Sequence, residues 1–316
     1  MAEYFLGVDL GGTKILTALV DGRGRVMQRA RIATPSGGPA AVVDGIVQTV
    51  ESVTGQAGVD VRAVAGLGVG APGPMDPDTG VVFEPPNLPG WHDVPLGAML
   101  LQRLGVPAHV ENDANAAALG ERWVGAGAGV DDLVYITVST GVGGGLIFRG
   151  RLYHGVSGTA GEVGHMVIDP NGPPCPCGRH GCLEAMASGP AIARAARAAV
   201  LAGQPTSLDR IAPEEIDARA VADAAREGDA VARAVYARAA AALGAGITNL
   251  VNLLNPAMVI IGGGVAETGD LIFGPVRRIV KQEAFERPAA AVQIVAAVLG
   301  GDAGVVGAAA VAKERS

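Results

Sequence analysis

Lysine is scarce in this chain. Only three of its 24 basic residues are lysine, at positions 14, 281 and 313. Arginine supplies the rest, and with the abundant Ala and Gly this reads as coding bias. It makes Lys14, which sits inside a glycine turn, conspicuous. Positive charge is short overall: the formal net charge is −7, which argues against nucleic acid and anionic membrane surfaces as partners. Cysteine is scarce too. Three residues within one short segment, Cys175, Cys177 and Cys182, are not a disulfide framework. The start, Met1-Ala2-Glu3, is acidic and no apolar h-region follows it, so no targeting segment is visible. No G-x-x-x-x-G-K-[ST] run is present, which excludes a P-loop enzyme. A soluble, cytoplasmic protein with no membrane or nucleic-acid partner is expected.

What is there fits a globular protein. Hydrophobic residues are 49% and charged residues 17%, which excludes long disorder. At 316 residues, two lobes are expected rather than one core. Residues 239–266 lack charge, but they contain Asn249, Asn252, Asn255 and Pro256 and run into three glycines. A buried helix followed by a buried strand explains them better than a membrane span.

Apolar runs at 4–8 and 15–20 and a third strand near 26–32 read as a β-meander. A helix is expected over 40–53, a strand over 64–70, a long loop over 72–95, a helix over 95–104 and a strand over 108–110. A helix then spans 112–124. The pattern restarts with strand 133–138, a glycine turn over 139–145 and strand 146–148. Strand, Thr-Gly turn, strand thus occurs twice, a repeat at the level of halves. Helices dominate from Ser188, followed by a strand over 258–261, a helix over 271–285, a strand near 292–295 and a closing helix from about 304.

Several segments carry chemistry. In Asp9-Leu10-Gly11-Gly12-Thr13-Lys14, backbone N–H groups of a tight turn can cradle phosphate oxygens. Glycine allows the close approach, and Asp9 can reach a hydrated magnesium ion. An ordinary hairpin turn is the competing reading. Ser139-Thr140-Gly141-Val142-Gly143-Gly144-Gly145 has too many glycines for a plain strand and points to a bulge or a ligand approach. Gly68, Gly70 and Gly73 mimic G-x-G-x-x-G, but Pro72 and Pro74 prevent the helix a dinucleotide site needs. Glu111-Asn112-Asp113 lies where a strand meets a helix. One of these residues can cap the helix while Asp113 acts as a general base and Asn112 orients the hydroxyl. The three cysteines with one histidine can form a closed, structural zinc site. Spacing alone does not choose between His165 and His180.

Together the segments DLGGTK, GAPGP, PNLPGW, ENDANAAALGE, STGVGGG, GTAGEVGHM, CPCGRHGCLE and IIGGGV, in that order from Asp9 to Gly307, resemble the ROK family of bacterial sugar kinases and repressors, above all its glucokinases. Ser139 departs mildly, since glucokinases often carry glycine there. The resemblance implies an α/β, two-lobed, actin-like or hexokinase-type (ribonuclease H-like) fold with a central cleft. The small lobe is expected over 1–113 plus about 300–316, and the large lobe with the zinc loop over 114–299. The implied activity is ATP-dependent phosphorylation of a hexose, glucose first, at its 6-hydroxyl. Asp113 is then the base, and Asn87, Asn112, Glu162, His165 and Glu184 contact the sugar. Gly11, Gly12, Thr13, Lys14, Thr140 and Gly141 face the ATP phosphates, and Gly262, Gly263 and Gly264 lie against the adenosine. His165, Cys175, Cys177 and Cys182 bind zinc, and magnesium accompanies ATP. A homo-oligomer, dimer or tetramer, is expected. Kinases of N-acetylhexosamines or fructose, a polyphosphate-using kinase and a non-catalytic sugar sensor are the alternatives. A repressor of the family would need an N-terminal helix-turn-helix, for which a strand from Tyr4 leaves no room.

Overall fold

The computed structural model describes residues 3–316. The chain begins with β1 (Tyr4–Leu10), β2 (Lys14–Asp21) and β3 (Val26–Ala33), then α1 (Gly38–Ala57) and β4 (Gly66–Ala71). A short hairpin, β5 (Met75–Asp76) and β6 (Val81–Val82), precedes α2 (Leu96–Leu104), β7 (Ala108–Asn112) and α3 (Asp113–Val124). Next come β8 (Leu133–Val138), β9 (Val142–Phe148) and β10 (Arg151–Leu152). Helices α4 (Leu183–Ala187), α5 (Gly189–Leu201), α6 (Ala218–Glu227) and α7 (Ala230–Leu254) follow. The chain closes with β11 (Met258–Gly262), α8 (Phe273–Glu283), α9 (Glu286–Ala291), β12 (Gln293–Ala296) and α10 (Ala303–Arg315).

The two five-stranded sheets share one topology. Their orders are β3-β2-β1-β4-β7 and β10-β9-β8-β11-β12. The first opens with an antiparallel meander and continues with parallel strands: β1 pairs β4 and β4 pairs β7. In the second, β8 pairs β11 and β11 pairs β12, again in parallel. The repeated strand, Thr-Gly turn, strand pattern therefore marks a real structural repeat.

The chain forms two compact units. One holds the residues up to Asp131 with Gly145–Gly161 and Val298–Ser316, and the other Asp132–Gly144 with Glu162–Ala297. This division differs from the one expected at residue 113. Helix α3 belongs to the first unit because it packs on α10. There Gly120 and Gly307 meet so closely that a Cβ on Gly120 would lie 2.9 Å from the Gly307 backbone. Helix α10 also lies flat on the sheet: a Cβ on Gly68 would come within 1.7 Å of the Ala308 carbonyl oxygen. This is the role of one glycine in the false dinucleotide pattern, and no helix opens there. On the opposite face, α1 buries Val42, Val43, Ile46 and Val50 against Leu6, Val8, Ile15 and Leu67.

Two local expectations change. Gly143, Gly144 and Gly145 belong to β9, and the turn is confined to Ser139–Thr140–Gly141. Close packing explains the glycine at 145, where a Cβ would sit 2.7 Å from the Ala118 methyl. The loop over 72–95 contains the β5–β6 hairpin. Helix α7, which covers the first part of the uncharged stretch, is long and apolar enough to cross a membrane. However, 67% of its most apolar window is buried within the protein, and Asn255 ends it in a left-handed cap before β11. It is a core helix, as expected.

Candidate active site and metal centre

In the first unit, β1 delivers Asp9 to a tight turn. The Gly11 N–H donates to the Lys14 carbonyl (2.9 Å), and Thr34 closes the turn by donating its hydroxyl to the Gly11 carbonyl (2.6 Å). Lys14 Nζ lies 3.4 Å from Asp9 Oδ2. Gly12 has no room for a side chain, because a Cβ would meet the Asn87 carbonyl oxygen at 2.5 Å. The fold thus brings Asn87, 75 positions from Gly12 in sequence and otherwise exposed, onto the glycine turn.

Asn112 and Asp113 divide their tasks. Asn112 is the N-cap of α3: its Oδ1 accepts from the N–H groups of Ala114 (2.9 Å) and Asn115 (3.3 Å). That satisfies donors a helix start otherwise leaves unpaired and leaves Nδ2 as the group this residue offers. Asp113 is the first helical residue. Its carboxylate is exposed and accepts from the Ala114 N–H at 2.8 Å. A solvent-reachable carboxylate on a rigid strand-to-helix junction has the placement a general base needs.

The reading of residue types missed Glu111. Its side chain is 2% exposed, accepts from the Asn112 N–H and from Asn115 Nδ2 at 3.0 Å each, and pairs with His154 Nε2 at 2.8 Å. The only available signal was its place next to Asn112. His154 lies 43 positions away and carried none.

In the second unit, a small irregular hairpin builds the metal centre. Val167 bridges Cys182, Pro174 bridges His180, and the Leu183 N–H donates to the Met166 carbonyl (2.9 Å). Gly181 makes the hairpin possible: its φ is +65°, and a Cβ would collide with the Asp169 carbonyl oxygen at 1.5 Å. The result gathers ligand atoms of His165, Cys175, Cys177 and Cys182 within 4.8 Å of one another. His180 is exposed and outside this group, so the histidine choice falls on His165. Cys177 and Cys182 sulfurs are 3.7 Å apart, as are Cys175 Sγ and His165 Nδ1. Zn–S bonds of about 2.3 Å at tetrahedral angles put sulfurs roughly 3.8 Å apart, so the donor set and its spacing fit zinc. Charge agrees. Burial pushes the Cys182 thiol up to about 12 and raises that of Cys175, while the Arg179 N–H draws Cys177 down to about 6. A dication would supply the charge that holds all three as thiolates.

The metal hairpin aims two further groups. With Nδ1 turned to the sulfurs, His165 Nε2 points toward Glu162, 3.9 Å from its Oε2. Glu184, on α4 directly after Cys182 and Leu183, accepts the Val142 N–H at 3.0 Å. A Cβ on Gly141 would reach Glu184 Oε2 at 2.6 Å. Glu184 is thereby tied to the second glycine turn. Beside that turn a cavity of about 670 Å³ is lined by Thr140, Gly264, Arg197, Asp217, Arg226 and Thr268, among others. Its size suits a nucleotide-sized ligand. Gly263 backs onto β8 with a φ of +86°, and a Cβ there would clash with the Val138 carbonyl oxygen at 2.4 Å. Arg197, Asp217, Arg226 and Thr268 were not singled out in the sequence, because nothing in their spacing links them.

Known proteins resemble this chain over most of its length. A glucokinase of Thermotoga maritima is 40% identical over 98% of this chain and 97% of its own. The crystal structure of a ROK family glucokinase from Streptomyces griseus, in complex with glucose and AMPPNP, is 39% identical. It covers 98% of this chain and 99% of its own with a TM-score of 0.83. A putative xylose repressor of a Caldicellulosiruptor species is 36% identical over 89% of this chain and 70% of its own. The pattern of the ROK family matches residues 5–315, and the chain belongs to that family.

Proposed function

We propose that this protein is a glucokinase: it transfers the γ-phosphoryl group of ATP to the 6-hydroxyl of glucose. The observation that carries the reading is the likeness over almost the whole chain to a kinase that holds glucose and an ATP analogue, joined to an exposed Asp113 on a capped helix start.

Asp113 takes the 6-hydroxyl proton as that oxygen attacks the γ-phosphorus in line. Little covalent work is left to the protein, so positioning and charge stabilisation dominate. Asn112 Nδ2, Asn87, Glu162, His165 Nε2 and Glu184 hold the sugar hydroxyls. The turns at Gly11–Lys14 and Thr140–Gly141 face the phosphates with backbone N–H groups, and Gly262–Gly264 lie against the adenosine. Magnesium arriving with the nucleotide would neutralise phosphate charge, and Asp9 is the carboxylate able to reach its water shell. His165, Cys175, Cys177 and Cys182 would hold a structural zinc, which would fix the imidazole with Nε2 free to face the sugar.

The protein is read as a cytoplasmic homo-oligomer, dimer or tetramer, that acts on sugar rather than DNA. Light scattering measures the first point, and the absence of retardation of DNA fragments the second. The central test is kcat/KM for glucose, fructose and the two N-acetylhexosamines with ATP, and with polyphosphate replacing ATP. Glucose with ATP is expected to lead. A higher value for an N-acetyl sugar would leave a kinase but not a glucokinase.

A further inference from the structure

Glu111 is a buried carboxylate directly before the two residues assigned to catalysis, and every partner it has is informative. Oε1 accepts the Asn112 N–H, so it grips the peptide that leads into Asp113. The same oxygen accepts Asn115 Nδ2, on the first turn of α3. Asn115 makes this bond although its Oδ1 is then left buried without a partner, a cost proteins seldom accept. Oε2 pairs with His154 Nε2 at 2.8 Å. His154 in turn anchors the base of its own loop, since its carbonyl accepts the Ala160 N–H at 3.0 Å. That loop ends at Gly161, next to Glu162.

We infer that Glu111 and His154 form a positioning pair that holds the Asn112–Asp113 turn, and with it the catalytic carboxylate, in its productive place. The inference rests on the kinase reading above. Neither residue touches a reacting atom. Their effect runs through the Asn112 peptide and the α3 cap. A base displaced by about 1 Å can lose roughly 100-fold in rate, so a rigid tether is worth having there.

The pair responds to pH. The hydrogen bond to Glu111 holds His154 above its ordinary 6.5, although burial opposes it. The other charges acting on His154 are Arg315 of α10, which lowers it, and Asp78, which raises it. Arg151 and Glu314 share the cavity of about 520 Å³ around the pair. A value raised on folding means that the charged pair is complete below 6.5 and is lost as pH rises through the folded value. Neutral imidazole still donates a hydrogen bond, but without the charge that strengthens it. The tether therefore loosens on the alkaline side.

The test uses zinc-loaded, full-length His154→Ala, His154→Gln and Asp113→Ala, each checked for folding by circular dichroism. Steady-state kinetics with glucose and ATP follow from acid to alkaline pH. His154→Ala should lose about 10- to 100-fold in kcat, with the KM for ATP little changed. His154→Gln, whose amide N–H still reaches Glu111, should recover most of that loss. Wild type should lose kcat through one ionisation on the alkaline side, and both His154 variants should lack that limb. A folded His154→Ala with wild-type kcat, or an alkaline limb that persists in both variants, beside an inactive Asp113→Ala, would overturn this inference alone. An active Asp113→Ala would overturn the kinase reading and this inference with it.

Discussion

At the scale of single residues, neighbours with similar chemistry do different work. Asn112 caps a helix, Asp113 presents a carboxylate to solvent, and Glu111 is buried and fully engaged. Asp113→Ala should keep the fold and lower kcat by about two to four orders of magnitude, the usual cost of losing a general base. Coupled-assay kinetics beside a thermal melt would check it, and a melt near wild type is part of the expectation. Asp229 offers a separate readout. Burial works against its ionisation, but the N–H groups of Ala232 and Ser207 and the Thr206 and Ser207 hydroxyls outweigh it and draw the carboxyl down to about 2. A depressed folded value stabilises the fold above the unfolded 3.8, and that contribution disappears as pH falls through about 2. Asp229→Asn should flatten the acid limb of Tm against pH.

At the scale of elements, the metal hairpin and the carboxylate of Glu121 organise whole segments. Cys177→Ser should lose zinc and sugar affinity together, because the hairpin that would hold the metal also carries His165 and leads into Glu184. Metal analysis and the KM for glucose report the two losses, and wild type should carry about one zinc per chain. Glu121 is fully buried at the end of α3. It accepts N–H groups from Ala126, Val298 and Leu299 at 2.8–3.0 Å, at the point where the chain re-enters the first unit. Glu121→Ala would leave those donors unpaired at about 1–3 kcal/mol each, so a large drop in Tm is expected. Most helices and strands were legible within a few residues, because their apolar spacing is local. The β5–β6 hairpin was not: two-residue strands in a Pro- and Gly-rich segment have no periodicity to read.

At the scale of the whole molecule, ligands should stabilise the fold. Saturating glucose with a non-hydrolysable ATP analogue should raise Tm, since a ligand at about 100 times its Kd adds roughly 2.7 kcal/mol. Calorimetry with each ligand alone and with both would measure it. The sequence by itself determined the family, the glycine turns, the Asn112–Asp113 junction and the cluster of three cysteines. All of these are runs of adjacent residues whose geometry depends on local backbone freedom and ligand chemistry. Only the tertiary structure decided that His165 rather than His180 faces the thiols, that α3 packs with α10 instead of opening a second domain, and that His154 holds Glu111. Each of these depends on where a distant segment returns. Close packing of Gly120 on Gly307 and hydrogen bonding across 43 residues leave no periodic trace in the chain.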